Sequence, residues 1–165
     1  MILYIVAKDH RPGPQSTDRK WKIARWTGTE WLFHEITTAL HNYDMGSICV
    51  EEDGSYKVIA PIGAGPQEWG TGGEIEVWTS TDQGATWAKQ RAVTTDSPRN
   101  HSYARRPRNA HPEFFAYWAD GHAHSHLNSI LPSPPSLSQP PRSSAASACA
   151  VGVEANLRRR PACAG

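Results

Sequence analysis

The sequence predicts an all-β chain that ends in a tail unable to fold. Three observations predict it. No segment repeats apolar residues at i, i+3, i+4 and i+7 over three turns, so amphipathic helices are not expected. Short apolar or alternating runs separated by Gly, Pro, Asp and Ser turn chemistry fill the first 121 residues. All 15 aromatic residues lie within residues 1–118 and 15 of the 16 acidic residues within 1–120. The remaining stretch, 123–165, holds 43 residues with 8 Ser, 6 Pro and 4 Arg and buries too little apolar surface to offset its ordering entropy; it is expected to be disordered.

Ile2–Ala7 is a compact apolar run, and Pro12, Gly13 and Pro14 stop it, so a strand is followed by a loop. Trp21–Trp26 alternates, Thr27–Thr29 turns at Gly28, and Glu30–Ile36 returns, which makes a hairpin. Gly46–Val50 and Tyr56–Ala60 flank the turn signal Glu52-Asp53-Gly54-Ser55, a second hairpin. Residues 61–73 contain five Gly and two Pro, a loop long enough to point to binding. Glu74–Thr79 and Thr86–Val93 form the third hairpin, 94–112 is read as a long polar loop, and Glu113–Trp118 as a last strand with no visible return. About eight strands result.

The formal charge of +1, from 17 basic and 16 acidic residues, gives no global field toward nucleic acid or an anionic membrane, and neither is expected as a partner. No apolar run approaches a membrane span, and Met1–Ala7 is too short for a signal peptide. Cys49, Cys149 and Cys163 have no ligand spacing, so no disulfide framework, metal or other cofactor is expected; the His122, His124, His126 tract and the basic run Arg158–Arg160 lie in or beside the tail.

Two hairpins repeat. In each, a strand carrying a Trp meets a Gly-containing turn and a second Trp: Trp26 then Trp31, and Trp78 then Trp87. The offsets of 52 and 56 residues suit a four-stranded propeller blade with its loops. The later turn reads Ser80-Thr81-Asp82-Gln83-Gly84-Ala85-Thr86-Trp87. Asp82 is placed to accept backbone N–H bonds, Gly84 to take a positive φ, and Trp87 to plug the gap between sheets. This pattern is similar to the Asp box of the BNR repeats found in sialidases and related β-propellers. His41–Ser47, Gly72–Ile75, Asn100–Pro107 and Phe115–Gly121 add a resemblance to the BNR-repeat branch that includes ulvan-lyase-like polysaccharide lyases, over residues 1–122.

The resemblance implies a partial propeller of about two four-stranded antiparallel blades. In an up-and-down blade the turns at 52–55 and 80–87 share one rim, and the long loops 8–19, 37–45, 61–73 and 94–112 share the other. That second rim is expected to collect His10, His41, Tyr43, Asp44, Glu68, His101, Tyr103, Arg105, Arg106 and His111. The implied partner is an acidic oligo- or polysaccharide. A β-eliminating lyase needs a cation on the uronate carboxylate, a base and an acid, for which Arg105 or Arg106, His41 and Tyr103 are the candidates. A sialidase-like hydrolase would draft Tyr103, Glu74 and Arg105, although the Arg-Ile-Pro opening common in sialidases is absent. Tyr43, Glu74, Trp69 and His101 are the candidate substrate contacts, Trp69 by stacking on a sugar. A non-catalytic glycan-binding or assembly module is the third reading.

Two blades cannot close a ring, so the chain is expected to be a piece of a carbohydrate-active propeller with little activity alone and with blade edges open to self-association. The tail is expected to be an out-of-frame extension.

Overall fold

The computed structural model describes residues 1–11, 13–41, 44–109 and 115–120 and the backbone of Ala150–Glu154. Its elements are ten strands: β1 Ile2–Val6, β2 Lys20–Trp26, β3 Trp31–Thr38, β4 Ser47–Val50, β5 Tyr56–Gly63, β6 Glu74–Ser80, β7 Ala88–Ala92, β8 His101–Arg105, β9 Ala116–Asp120 and β10 Ala150–Glu154. No helix occurs among the described residues, and none there is long and apolar enough to cross a membrane. The chain is all-β, with three antiparallel sheets ordered β1-β2-β3, β4-β5-β6-β7 and β10-β9-β8.

Strand alternation decides how the sheets stack. In β5, Val58, Ala60 and Ile62 point to one side and pack with Trp21, Ile23 and Ile36 of the first sheet. Ile59 points to the other side, where with Ile75 and Val77 of β6 it meets Ala104, Phe115, Ala116 and Trp118. The four-stranded sheet is therefore the middle layer, apolar on both faces. Ile23, Val58 and Ile75 are fully buried, each contributing about 2 kcal/mol by removal from water.

The turn Ser80–Trp87 closes on itself. Asp82 accepts from Ser80 Oγ at 2.7 Å, Thr86 N–H at 2.9 Å and Thr86 Oγ1 at 2.6 Å, and these bonds, led by the Thr86 hydroxyl, hold its carboxyl well below the usual carboxylate range. Gly84 N–H donates to Ser80 Oγ at 2.8 Å, and Trp87 Nε1 donates to the Gly84 carbonyl at 3.0 Å while its ring packs against the Trp21–Ile23–Ile36 cluster. Gly84 has φ +90°, and a Cβ there would strike Ile23 Cδ1 of the neighbouring sheet.

Four expectations are corrected. The span 94–112 is not one loop, because His101–Arg105 forms β8. His-Ser-Tyr-Ala-Arg has no β-branched residue to announce a strand; the pairing with β9 and the burial of Ala104 make it one. Residues 61–63 extend β5 rather than opening the loop. Pro61 is tolerated because β4 pairs β5 only as far as Ile59, and a bulge follows between Pro61 and Gly63. The last strand of the 1–122 region is Ala116–Asp120, not Glu113–Trp118, and it does have a return: Ala150–Glu154, within the stretch expected to be disordered, pairs with it from Ala150↔Asp120 to Glu154↔Ala116. The open edge of β9 supplies the ladder that Ala-Val-Gly-Val-Glu cannot build locally. The rest of 123–165 lies outside the described residues, as do His122, His124, His126 and Arg158–Arg160. Among the described residues the sheets have three, four and three strands in chain order.

Gly84→Ala should lower unfolding stability by about 1–3 kcal/mol, since it forces a Cβ into a left-handed backbone against Ile23. A urea midpoint unchanged from wild type would contradict the assigned contact.

Candidate functional site

The long connections are clasped to one another by polar side chains. His41, from the β3–β4 connection, is buried and uses both ring nitrogens on the β5–β6 loop. Nε2 accepts from Gly65 N–H at 3.0 Å, which assigns the proton to Nδ1, and Nδ1 donates to the Gln67 carbonyl at 3.2 Å. Burial pushes its pKa below the usual imidazole value, consistent with this neutral tautomer. A Cβ on Gly73 would lie 2.8 Å from His41 Cδ2, so the ring also needs glycine there. Asn100, fully buried just before β8, grips the same loop: its Oδ1 accepts from Gln67 N–H at 3.1 Å and its Nδ2 donates to the carbonyls of Gln67 at 2.9 Å and Thr71 at 3.3 Å. Gly73 and His101 exchange backbone bonds at 2.9 and 3.0 Å, and the Arg19 guanidinium of the β1–β2 connection sits 5.4 Å from the Trp69 ring centroid. Loops from four connections thus meet at one end of the sheets.

Glu74 heads β6 at that end. Ser97 N–H and Oγ donate to it at 2.7 and 2.9 Å, and Thr94 Oγ1 donates as well. Burial opposes its charge, but these bonds outweigh it and hold the carboxyl below its ordinary pKa. His101 Nε2 is 2.9 Å from Ser97 Oγ, while Nδ1 approaches Asp120 Oδ1 at 3.3 Å without hydrogen-bond alignment. The His101 ring stands edge-on to Trp118 with centroids 6.1 Å apart. His101 and Glu74 are joined through Ser97 into a buried polar tie.

A third group differs, because part of it faces solvent. Tyr103 has φ +56°, a left-handed backbone uncommon for a bulky residue, and is 49% exposed. Its N–H donates to Asp44 Oδ1 at 3.1 Å, and Met45 N–H donates to the same oxygen at 2.5 Å. Asp44 Oδ2 is buried with no hydrogen-bond partner among the described residues. Burial pushes the Asp44 carboxyl up to about 6, with the two N–H bonds and the Arg105 charge pulling the other way. Arg105 reaches the Gly46 carbonyl at 3.4 Å and Met45 Sδ at 3.2 Å. With Arg106 N–H donating to Ser47 Oγ at 3.0 Å, the contacts advance in step from 44 to 47 and from 103 to 106, so the 44–47 segment that leads into β4 runs alongside β8 with the same polarity.

The sequence candidates therefore divide. His41, His101, Glu74 and Trp69 share the clasped end. Tyr103 and Arg105 stand along β8 beside Asp44. Arg106 belongs with the β4–β5 turn: it donates to Glu51 Oε1 at 2.6 Å, touches Cys49 Sγ and lies 4.6 Å from the Phe115 ring centroid. Strand parity carries Arg106 to the long-loop rim only when β8 is left out of the count, and a strand inserted after residue 100 sends the residues beyond it to the opposite end. Tyr43 and His111 lie outside the described residues. Ser80, Asp82, Gly84 and Trp87 build the turn described above. Sequence reasoning assigned no chemical role to Asn100 or Asp44. An Asn directly before His-Ser-Tyr is visible in the sequence, but its burial is not, and the proton affinity of Asp44 comes from packing.

Two consequences can be measured. Asn100→Ala strips the Gln67 and Thr71 backbone of partners and should cost about 1–3 kcal/mol, with faster amide exchange concentrated in residues 64–73. Asp44 binds its proton more tightly folded, at about 6, than at the ordinary 3.8, so the folded chain keeps a proton that the unfolded chain releases. Stability should therefore fall as pH rises between about 4 and 6, by no more than about 3 kcal/mol, and Asp44→Asn should flatten that slope in a series of urea titrations.

Set against family models, curated proteins and solved structures, the chain matches none.

Proposed function

We propose that this chain is part of an Asp-box β-propeller that acts on acidic polysaccharide by β-elimination. The observation that carries the reading is the Tyr103 side chain, exposed on a left-handed backbone, pinned through its N–H by Asp44 and two residues from Arg105. The order β4-β5-β6-β7 and the like polarity of β8 and the 44–47 segment that leads into β4 support the propeller part, since inner strands of adjacent blades run the same way.

Elimination from a uronate breaks the C–H bond next to the carboxylate and the C–O bond to the leaving sugar, and forms a carbon–carbon double bond between them. Arg105 is the cation that neutralises the carboxylate and stabilises the charge that develops as the proton leaves. The Tyr103 phenol oxygen moves that proton from carbon to the leaving oxygen on one face of the ring. Asp44 is a positioning residue: it fixes the Tyr103 backbone. His41, the base candidate of the sequence, has both its nitrogens committed to loop backbone, and its role here is to hold the β5–β6 loop.

With an ulvan-type polysaccharide, absorbance from unsaturated uronate should rise. Tyr103→Phe should slow that rise about 10²- to 10⁴-fold, and Arg105→Ala should raise KM as well as lower kcat. New reducing ends without absorbance would replace elimination by hydrolysis, and cleavage of neither ulvan-type nor sialylated glycans would overturn the catalytic reading.

A further inference from the structure

The first and last sheets each have a face that the middle sheet does not cover. On the first, β3 side chains alternate so that His34 and Ile36 turn toward the middle layer while Trp31 and Phe33 turn away. Trp31 is 44% exposed, Phe33 63% and Trp26 48%, and Trp26 and Trp31 stack at 5.5 Å with a 51° tilt. Phe33 lies opposite Ala24 and Trp26 opposite Trp31, so the three rings form one continuous apolar patch.

The internal repeat says what kind of object covers such a patch. Trp26 and Trp31 correspond to Trp78 and Trp87, and those two rings are half-buried against the cluster in which Trp21, Ile23 and Ile36 of the adjoining sheet meet Val58, Ala60 and Ile62. The patch is thus the copy of a surface already seen covered by a β-sheet within this chain. The opposite end offers the counterpart. On β9, Ala116 and Trp118 turn into the core, whereas Tyr117 turns away and is exposed. Among the described residues no further sheet covers either surface.

We propose that two copies of this chain associate head to tail, the Trp26–Trp31–Phe33 face of one seating on the Tyr117 face of the other. The contact continues the sheet-on-sheet stack that already runs twice through each chain. It is heterologous, so the copies close into a ring if the rotation permits and extend into filaments if it does not. Such association is independent of the catalytic reading.

The test is sedimentation of the full chain over a range of concentrations. Wild type should show a mass at least twice that of one chain. Phe33→Glu and Tyr117→Glu, both at exposed positions, should each sediment as a single chain with a wild-type circular dichroism spectrum. Mixed in equal amounts they should form a two-chain complex and stop there, because each retains the face the other has lost. A monomeric wild type overturns the proposal, and so does a wild-type mass that neither substitution lowers. If Phe33→Glu alone dissociates the assembly and the mixture gives no two-chain complex, the contact is between like faces and the head-to-tail arrangement is wrong.

Discussion

One sheet with two apolar faces holds this molecule together. β5 sends Val58 and Ala60 toward β1–β3 and Ile59 toward β8–β9, so a single strand with almost no polar side chain facing either way joins both interfaces. A one-residue slip in its pairing would exchange the two sets and mismatch both neighbours at once. Register is fixed instead by β4 on one side, β6 on the other and the closed turn between β6 and β7, whose Gly84 lies against Ile23 of the next sheet. The turn is therefore part of the interface as well as of the hairpin.

The polar end of the molecule depends on that stack. The loop 64–73, with four glycines and one proline, has no order of its own, and a set of buried side chains anchored to the sheets supplies it. His41 and Asn100 enter from different connections and hydrogen-bond the same short run of backbone, Gly65 to Thr71. Each satisfies donors and acceptors that would otherwise be buried unpaired. Glu74, Ser97 and His101 do the same for the connection after β7. A histidine with both nitrogens occupied is a fastener, and such fastening is why so many polar side chains converge at this end.

Legibility in the sequence tracks where the information lies. Strands such as Ile2–Val6 and Glu74–Ser80 declare themselves by β-branched and aromatic content, and the Ser80–Trp87 turn by its Ser, Asp, Gly and Thr chemistry. His101–Arg105 is hidden, because its strand character comes from β9 and from the 44–47 segment beside it, both distant in sequence. That one concealed strand displaces Arg106 from one end of the sheets to the other. The Asp44 carboxyl is equally out of reach: its charge is set by how deeply it is packed, and composition carries no trace of depth.

The backbone of Tyr103 carries a further consequence. Holding a bulky residue at φ +56° stores about 1–3 kcal/mol, which the surrounding bonds to Asp44 must sustain in the resting molecule. Conformational freedom that an ordinary loop tyrosine would surrender on meeting a ligand has here been given up during folding. A ligand docking at this ring, as the proposed function requires, would meet a backbone whose shape is already set.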